Sequence, residues 1–153
     1  MLAGRGKVKR RSFRSAARRA IDGAMIYILL NAVPILMATL AGLVIGWLYW
    51  RMVAPRRRIG NGFAGLAFIA QAWLCAILAG ALILAPPEAG VWTMTIGSAV
   101  VIWIGFVVPT MLVSERFRNV PVSASIGDCL HWLAVMLVQA VVLRLIGLVP
   151  PPG

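Results

Sequence analysis

Apolar residues in this chain form four long runs separated by short polar segments. The runs cover residues 24–50, 63–85, 91–113 and 129–149. A helix needs about 20 apolar residues to cross the hydrocarbon core of a bilayer, and each run is long enough. None of the runs shows the short alternating pattern of a membrane β-strand. The pattern therefore predicts an all-α integral membrane protein, built as a four-transmembrane-helix bundle.

The composition agrees with this fold class. Hydrophobic residues make up 61% of the 153 residues, and only 12% are charged. Soluble domains contain about 45–50% apolar residues. The length allows a basic arm over residues 1–23 and one helical domain over residues 24–149, and it leaves no room for a large soluble module.

Basic residues flank the apolar runs, and they give the chain a net charge of +11. This placement is typical of membrane proteins facing anionic lipid headgroups and does not favour nucleic-acid binding. Eight basic residues lie in the arm: Arg5, Lys7, Lys9, Arg10, Arg11, Arg14, Arg18 and Arg19. We expect a cytoplasmic arm that binds anionic lipid or an acidic partner, an interfacial helix being one form it could take. A mitochondrial presequence is an alternative.

The charges favour one topology only narrowly. Four crossings place both termini on one side with the eight basic residues of the arm, and they leave six basic residues on the other side. The positive-inside rule then favours cytoplasmic termini. A competing topology has three crossings, because Asn31 and Pro34 interrupt the first run and could make it enter the membrane and return.

Small residues recur every four positions in the first two runs. Without water, helices associate through close backbone packing, and small residues mark where that can happen. The two stripes are Ala38, Gly42 and Gly46 in the first run and Ala72, Ala76 and Gly80 in the second. Both predict helix contacts, either within the bundle or with another subunit. Tyr49 is expected at the membrane interface, and Gln71 is expected to bond to a backbone carbonyl.

The segment "SASIGD" precedes the fourth run and resembles a helix start. Ser125 would be the N-cap residue and Asp128 its capping-box partner. His131 lies one turn further on the same face, so we expect it to bond to Asp128 or to a neighbouring carbonyl. The topology also predicts a polar cluster at this membrane face, formed by Glu115, Arg116, Arg118, Asp128 and His131.

His131 is the only histidine in the chain, which limits its chemistry. It could serve an ion or proton site, or it could be the single axial ligand of a haem or bacteriochlorophyll. No cofactor is favoured, and a metal site built from several histidines is excluded. The acidic residues are scattered, and no nucleophile–base set can be assembled, so no enzyme is predicted.

Three motifs resemble one family of small bacterial membrane proteins. They are "NAVPILMATLAGLVIGWLYW" in the first run, "GFVVPTMLV" in the third and "IGDCLHWL" at the start of the fourth. Their order and spacing are similar to family seventeen-sixty-one of the domains of unknown function. The resemblance implies a four-helix protein of the bacterial inner membrane and no assigned activity. The basic arm and the segment "MVAPRRRIG" depart from that family.

Two functions fit these features. The first is a non-catalytic accessory or assembly subunit of a larger respiratory or photosynthetic membrane complex, with other membrane subunits as its partners. The alternative is a small oligomeric permease or channel with Asp128 and His131 at its mouth.

Overall fold

The structure is a computed structural model that describes residues 26–54, 60–86, 88 and 90–150. The predictions for the basic arm lie outside the described residues, and so do Arg56 to Arg58. The described part of the chain is helical and contains no strand. Four helices are long and apolar enough to cross a membrane: α1 (Ala32–Val53), α2 (Asn61–Leu84), α3 (Val91–Phe117) and α4 (Val122–Ile146). The predicted all-α, four-helix class is confirmed.

The first apolar run forms one continuous crossing helix from Ala32 onwards. A turn at Asn31 separates α1 from the helical residues 26–30. Pro34 lies in the first turn of α1, where its missing N–H leaves no helical hydrogen bond unmade. Because α1 is one continuous helix of 22 residues, the described chain does not contain the re-entrant hairpin of the three-crossing topology.

Helix α3 contains one wider π-helical turn. This turn covers Trp103–Val107 and ends two residues before Pro109. A proline has no N–H and its ring collides with the carbonyl one turn before it, so the helix must widen or bend at this point. The Thr110 hydroxyl donates to the Phe106 carbonyl oxygen at 2.6 Å. The helix therefore passes the proline without breaking and ends at Phe117, four residues beyond the predicted run.

Helix α4 begins at Val122, and the predicted start at residue 129 with Ser125 as N-cap is wrong. Pro121 is the N-cap, with φ −63° and ψ 145°. The backbone N–H of Ser125 donates to the Pro121 carbonyl at 3.2 Å, which places Ser125 within the first helical turns. The apolar run covers only the apolar part of the helix, and the first helical turns before it contain polar residues. Asp128 consequently lies inside α4 and cannot be a capping-box residue.

The helices pack as one compact unit over residues 33–148. Its fully buried apolar side chains are Ala38, Cys75, Leu78, Ala79, Ala99, Val135, Met136, Ala140 and Leu143. Many large apolar side chains are exposed at the periphery, as expected where lipid surrounds the protein.

A second unit joins the segment before α1 to the segment after α4. Asn31 is fully buried. Its Nδ2 donates to the Val149 carbonyl at 2.8 Å, and its Oδ1 accepts from the Val149 N–H at 2.8 Å. Residues 31 and 149 are therefore neighbours within this unit.

Candidate functional site

Polar side chains from three helices line the interior of the bundle. Helix α4 contributes three of these side chains, spaced so that they lie on one face of the helix together with Val135. Helices α1 and α2 contribute one each. We term this set the polar row: Tyr49, Gln71, Asp128, His131 and Gln139.

The outer end of the polar row is built around Tyr49. Its hydroxyl donates to Oδ1 of Asp128 at 2.6 Å. Its ring stacks on His131, with 4.3 Å between ring centroids and 21° between the planes. A Cβ added to Gly127 would lie 3.3 Å from Tyr49 Oη, so the glycine lets the phenol reach α4. Asp128 thus accepts from Tyr49, in place of the hydrogen bond from His131 that the sequence predicted.

Gly42 and Gly46 make room for polar side chains of neighbouring helices. A Cβ added to Gly42 would lie 2.6 Å from Gln71 Oε1 and 2.8 Å from Gln139 Nε2. A Cβ added to Gly46 would lie 3.3 Å from Gln71 Nε2 and 3.6 Å from His131 Nε2. Both glycines are buried, and their nearest neighbours are side-chain atoms rather than the backbone of another helix.

At the deep end of the polar row, several polar atoms have no hydrogen-bond partner in the described protein. Gln71 is 4% exposed and Gln139 is fully buried. Gln71 Oε1, both side-chain polar atoms of Gln139 and His131 Nε2 are buried and have no hydrogen-bond partner in the described protein. More than nine in ten buried polar groups are bonded, and leaving one unbonded costs about 1–3 kcal/mol. Such a group of atoms is suited to bind a small polar molecule.

The polar row ends at Gln139, and the bundle beyond it is apolar. Ala140 follows Gln139 directly and Leu143 lies one turn further along α4, while α2 contributes Leu78 and Ala79, and all four are fully buried. The nearby Thr39 hydroxyl is already bonded to the Ile35 carbonyl of its own helix at 2.7 Å. Asp128 and Gln139 are separated by about 16 Å along the helix axis, half of a hydrocarbon core of about 30 Å. The polar row therefore occupies about one half of the bundle, and the buried side chains named beyond it are apolar or bonded within their own helix.

The predicted membrane-face cluster is only partly assembled. Asp128 and His131 are half-buried and meet at Tyr49. Arg116 and Arg118 are exposed. Glu115 is 6% exposed, and its Oε2 has no hydrogen-bond partner in the described protein.

The predicted small-residue stripes lie at different depths in the bundle. Ala38 is fully buried. Ala72, Ala76 and Gly80 are half-buried, beside the buried Gln71 and Cys75.

The surroundings of His131 bear on the predicted haem or pigment alternative. An axial ligand must present a ring nitrogen to a flat macrocycle. Nε2 of His131 is buried, 3.6 Å from the point where a Cβ on Gly46 would lie, and Tyr49 stacks on the imidazole ring. Over the described residues, no group of three His, Cys, Asp or Glu side chains could hold a metal ion. That no haem or bacteriochlorophyll binds stays a prediction.

Sequence reasoning missed the roles of Tyr49, Gln71 and Gln139. Tyr49 was expected at the membrane interface, and Gln71 was expected to bond to a carbonyl. The available signal was the spacing 128–131–135–139, which places three polar residues on one face of α4 opposite two glycines.

No protein-family model matches this chain, and no curated protein or solved structure is significantly similar to it. The resemblance to family seventeen-sixty-one stays a prediction, and the function must be argued from the geometry of the polar row.

Proposed function

We propose that this protein is a small, non-catalytic permease that passes a small polar solute along the polar row. The observation that supports the proposal is the pair of buried glutamines, Gln71 and Gln139, whose amide atoms meet at Gly42 without protein partners. Unsatisfied polar groups are expensive in a low-dielectric interior. Polar residues inside membrane helices are accordingly associated with substrate pathways.

The division of the bundle into two halves suits transport with controlled access. A solute entering beside Asp128 would pass His131 and reach Gln139 near the middle of the membrane, where transporter sites typically lie. The apolar half around Leu143 would prevent free leakage. Movement of α1 against α2 and α4 would open that half, because Gly42 and Gly46 meet mobile side-chain ends rather than a packed backbone.

The same proposal includes the membrane in which the permease lies and its orientation there. We place it in a bacterial inner membrane as a multi-pass protein with a cytoplasmic N-terminus. The eight basic residues of the arm support this orientation and a contact with anionic lipid headgroups.

Solute flux into proteoliposomes tests the proposal. The purified chain would be reconstituted, and shrinkage and reswelling under an osmotic gradient would be followed by stopped-flow light scattering with a panel of neutral and charged solutes. We expect at least one solute to equilibrate faster than in protein-free liposomes and in liposomes containing Gly42→Leu, whose side chain would displace both glutamines. If no solute in the panel moves faster, the proposal fails.

An accessory subunit of a larger membrane complex is the second candidate. The observation that favours it is the low burial of α3. Only 6% of the apolar window of α3 is buried, compared with 22–33% for the other three helices. Such a face could pack on another membrane subunit. Native electrophoresis in a mild detergent discriminates between the two, because an accessory subunit migrates with a large complex and a permease migrates as a small oligomer.

A further inference from the structure

The deep end of the polar row offers amide groups rather than charges. Resting on the proposed function, we infer that the solute is a small uncharged molecule with an adjacent hydrogen-bond donor and acceptor, of the urea or primary-amide class. Gln71, Gln139 and Gly42 would determine this specificity.

The two glutamines present complementary atoms close to each other. Gln71 Oε1 is an acceptor, and Gln139 Nε2 is a donor. They lie 2.6 Å and 2.8 Å from the same point, the Cβ position of Gly42. The separation of the two atoms therefore cannot exceed the sum of these two distances. Neither atom has a hydrogen-bond partner in the described protein. A planar carboxamide can donate its N–H to Gln71 and accept from Gln139 through its carbonyl oxygen.

The charge distribution disfavours an ion at this point. The side chains that approach Gly42 and Gly46 are Gln71, Val135, Gln139 and His131, and none is a carboxylate, lysine or arginine. An ion taken out of water needs a compensating charge and several hydrogen bonds. The carboxylate of the row, Asp128, lies at the outer end and already accepts from Tyr49.

Gly42 also limits the size of the solute. A single methyl group at this position would come closer than van der Waals contact to both glutamines. The glutamine ends therefore fill the space beside Gly42, and a solute that bonds to both must move them apart. The solute class is thus restricted to the smallest amides.

Stopped-flow light scattering on proteoliposomes tests the solute class. Urea and acetamide would be compared with glycerol, which is neutral but carries hydroxyl groups only, and with sodium chloride. We expect the protein to raise urea and acetamide permeability about tenfold more than glycerol permeability and to leave salt permeability unchanged. Gln139→Met removes the donor at similar volume, and it should lower the amide permeability about tenfold.

Two further variants distinguish a lost contact with the solute from misfolding. Gln71→Met should reproduce the loss from the acceptor side. Thr95→Val should leave amide permeability unchanged, because the Thr95 hydroxyl is bonded to the Val91 carbonyl of its own helix at 2.8 Å. Each variant must unfold in detergent at a midpoint no lower than that of the parent to be counted.

The possible outcomes separate the inference from the function on which it rests. If glycerol moves as fast as urea, or if only a charged solute is accelerated, the amide class is overturned while the permease proposal stands. If no solute is accelerated, both fail. Retention of amide flux in Gln139→Met and Gln71→Met would overturn the assigned residues.

Discussion

The hydroxyl of Tyr49 donates a 2.6 Å hydrogen bond to Oδ1 of Asp128, and this bond joins α1 to α4. The same tyrosine ring stacks on His131, one turn away from Asp128 on α4. One side chain of α1 therefore holds two polar residues of α4 in place. Asp128 serves as a contact between helices rather than as a helix cap.

Replacing Tyr49 by Phe should destabilise the protein by about 1–3 kcal/mol, because the bond to Asp128 is lost while the ring remains. Denaturant unfolding in detergent measures the change. The double variant with Asp128→Asn should lose less stability than the two single variants together, since they share one interaction. Strictly additive losses would mean that Tyr49 and Asp128 do not interact in the membrane protein.

Replacing Gln139 by Met should leave the free energy of unfolding unchanged or raise it by up to about 1 kcal/mol. The reason is that the Gln139 amide forms no bond with the protein, so its removal takes away a desolvation cost without breaking a contact. Thermal unfolding in detergent checks this. A loss of more than about 2 kcal/mol would show that Gln139 is a structural residue with partners in the folded protein.

Gly42→Ala and Gly97→Ala form a matched pair. An added methyl group at Gly42 would press on the ends of both glutamines, whereas a Cβ at Gly97 meets nothing within 4 Å. Glutamine ends can move aside, and alanine favours a helix over glycine by about 1 kcal/mol, so both variants should fold. Solute flux should fall in Gly42→Ala and stay at the parental level in Gly97→Ala. Equal flux in the two variants would contradict the position assigned to Gly42.

Replacing Asn31 by Ala should destabilise the protein by about 2 kcal/mol. The change removes two hydrogen bonds to the Val149 backbone and one from Nδ2 to the Tyr27 carbonyl. Hydrogen exchange at the Val149 amide provides the local measurement, because that N–H donates to Asn31. Exchange should become faster in Asn31→Ala, with little change at amides within α2. Unaltered exchange at Val149 would show that the contact does not form.

The extent to which the sequence predicts this fold can be seen at particular residues. The length of the apolar runs was sufficient to predict the four helices, because a segment that crosses lipid must form its backbone hydrogen bonds within itself. The length of the fourth apolar run could not locate the start of α4, since the helix also includes polar residues such as Ser125 that precede the run. Nor could the length of the third run show that Pro109 would be accommodated by a π turn.

The candidate site was only half predictable for a related reason. Asp128 and His131 stand out in an apolar chain, and both belong to the polar row. Glycines at 42 and 46 are equally compatible with a close helix crossing and with space for a side chain. Only the rotation of α2 and α4 decides between these possibilities, and it directs Gln71 and Gln139 towards Gly42.

Thiol labelling along α4 tests most directly whether a polar solute can reach Gln139. In a variant with Cys75→Ala and Cys129→Ala, single cysteines would be introduced as Gln139→Cys and, one turn deeper on the same face, Leu143→Cys. A small water-soluble methanethiosulfonate reagent reacts with the thiolate, which forms only where water has access. We expect Gln139→Cys to be labelled at least about tenfold faster than Leu143→Cys, with the same ordering in intact membranes and in proteoliposomes. Equal labelling of both cysteines, or labelling of neither, would contradict a polar path that ends at Gln139.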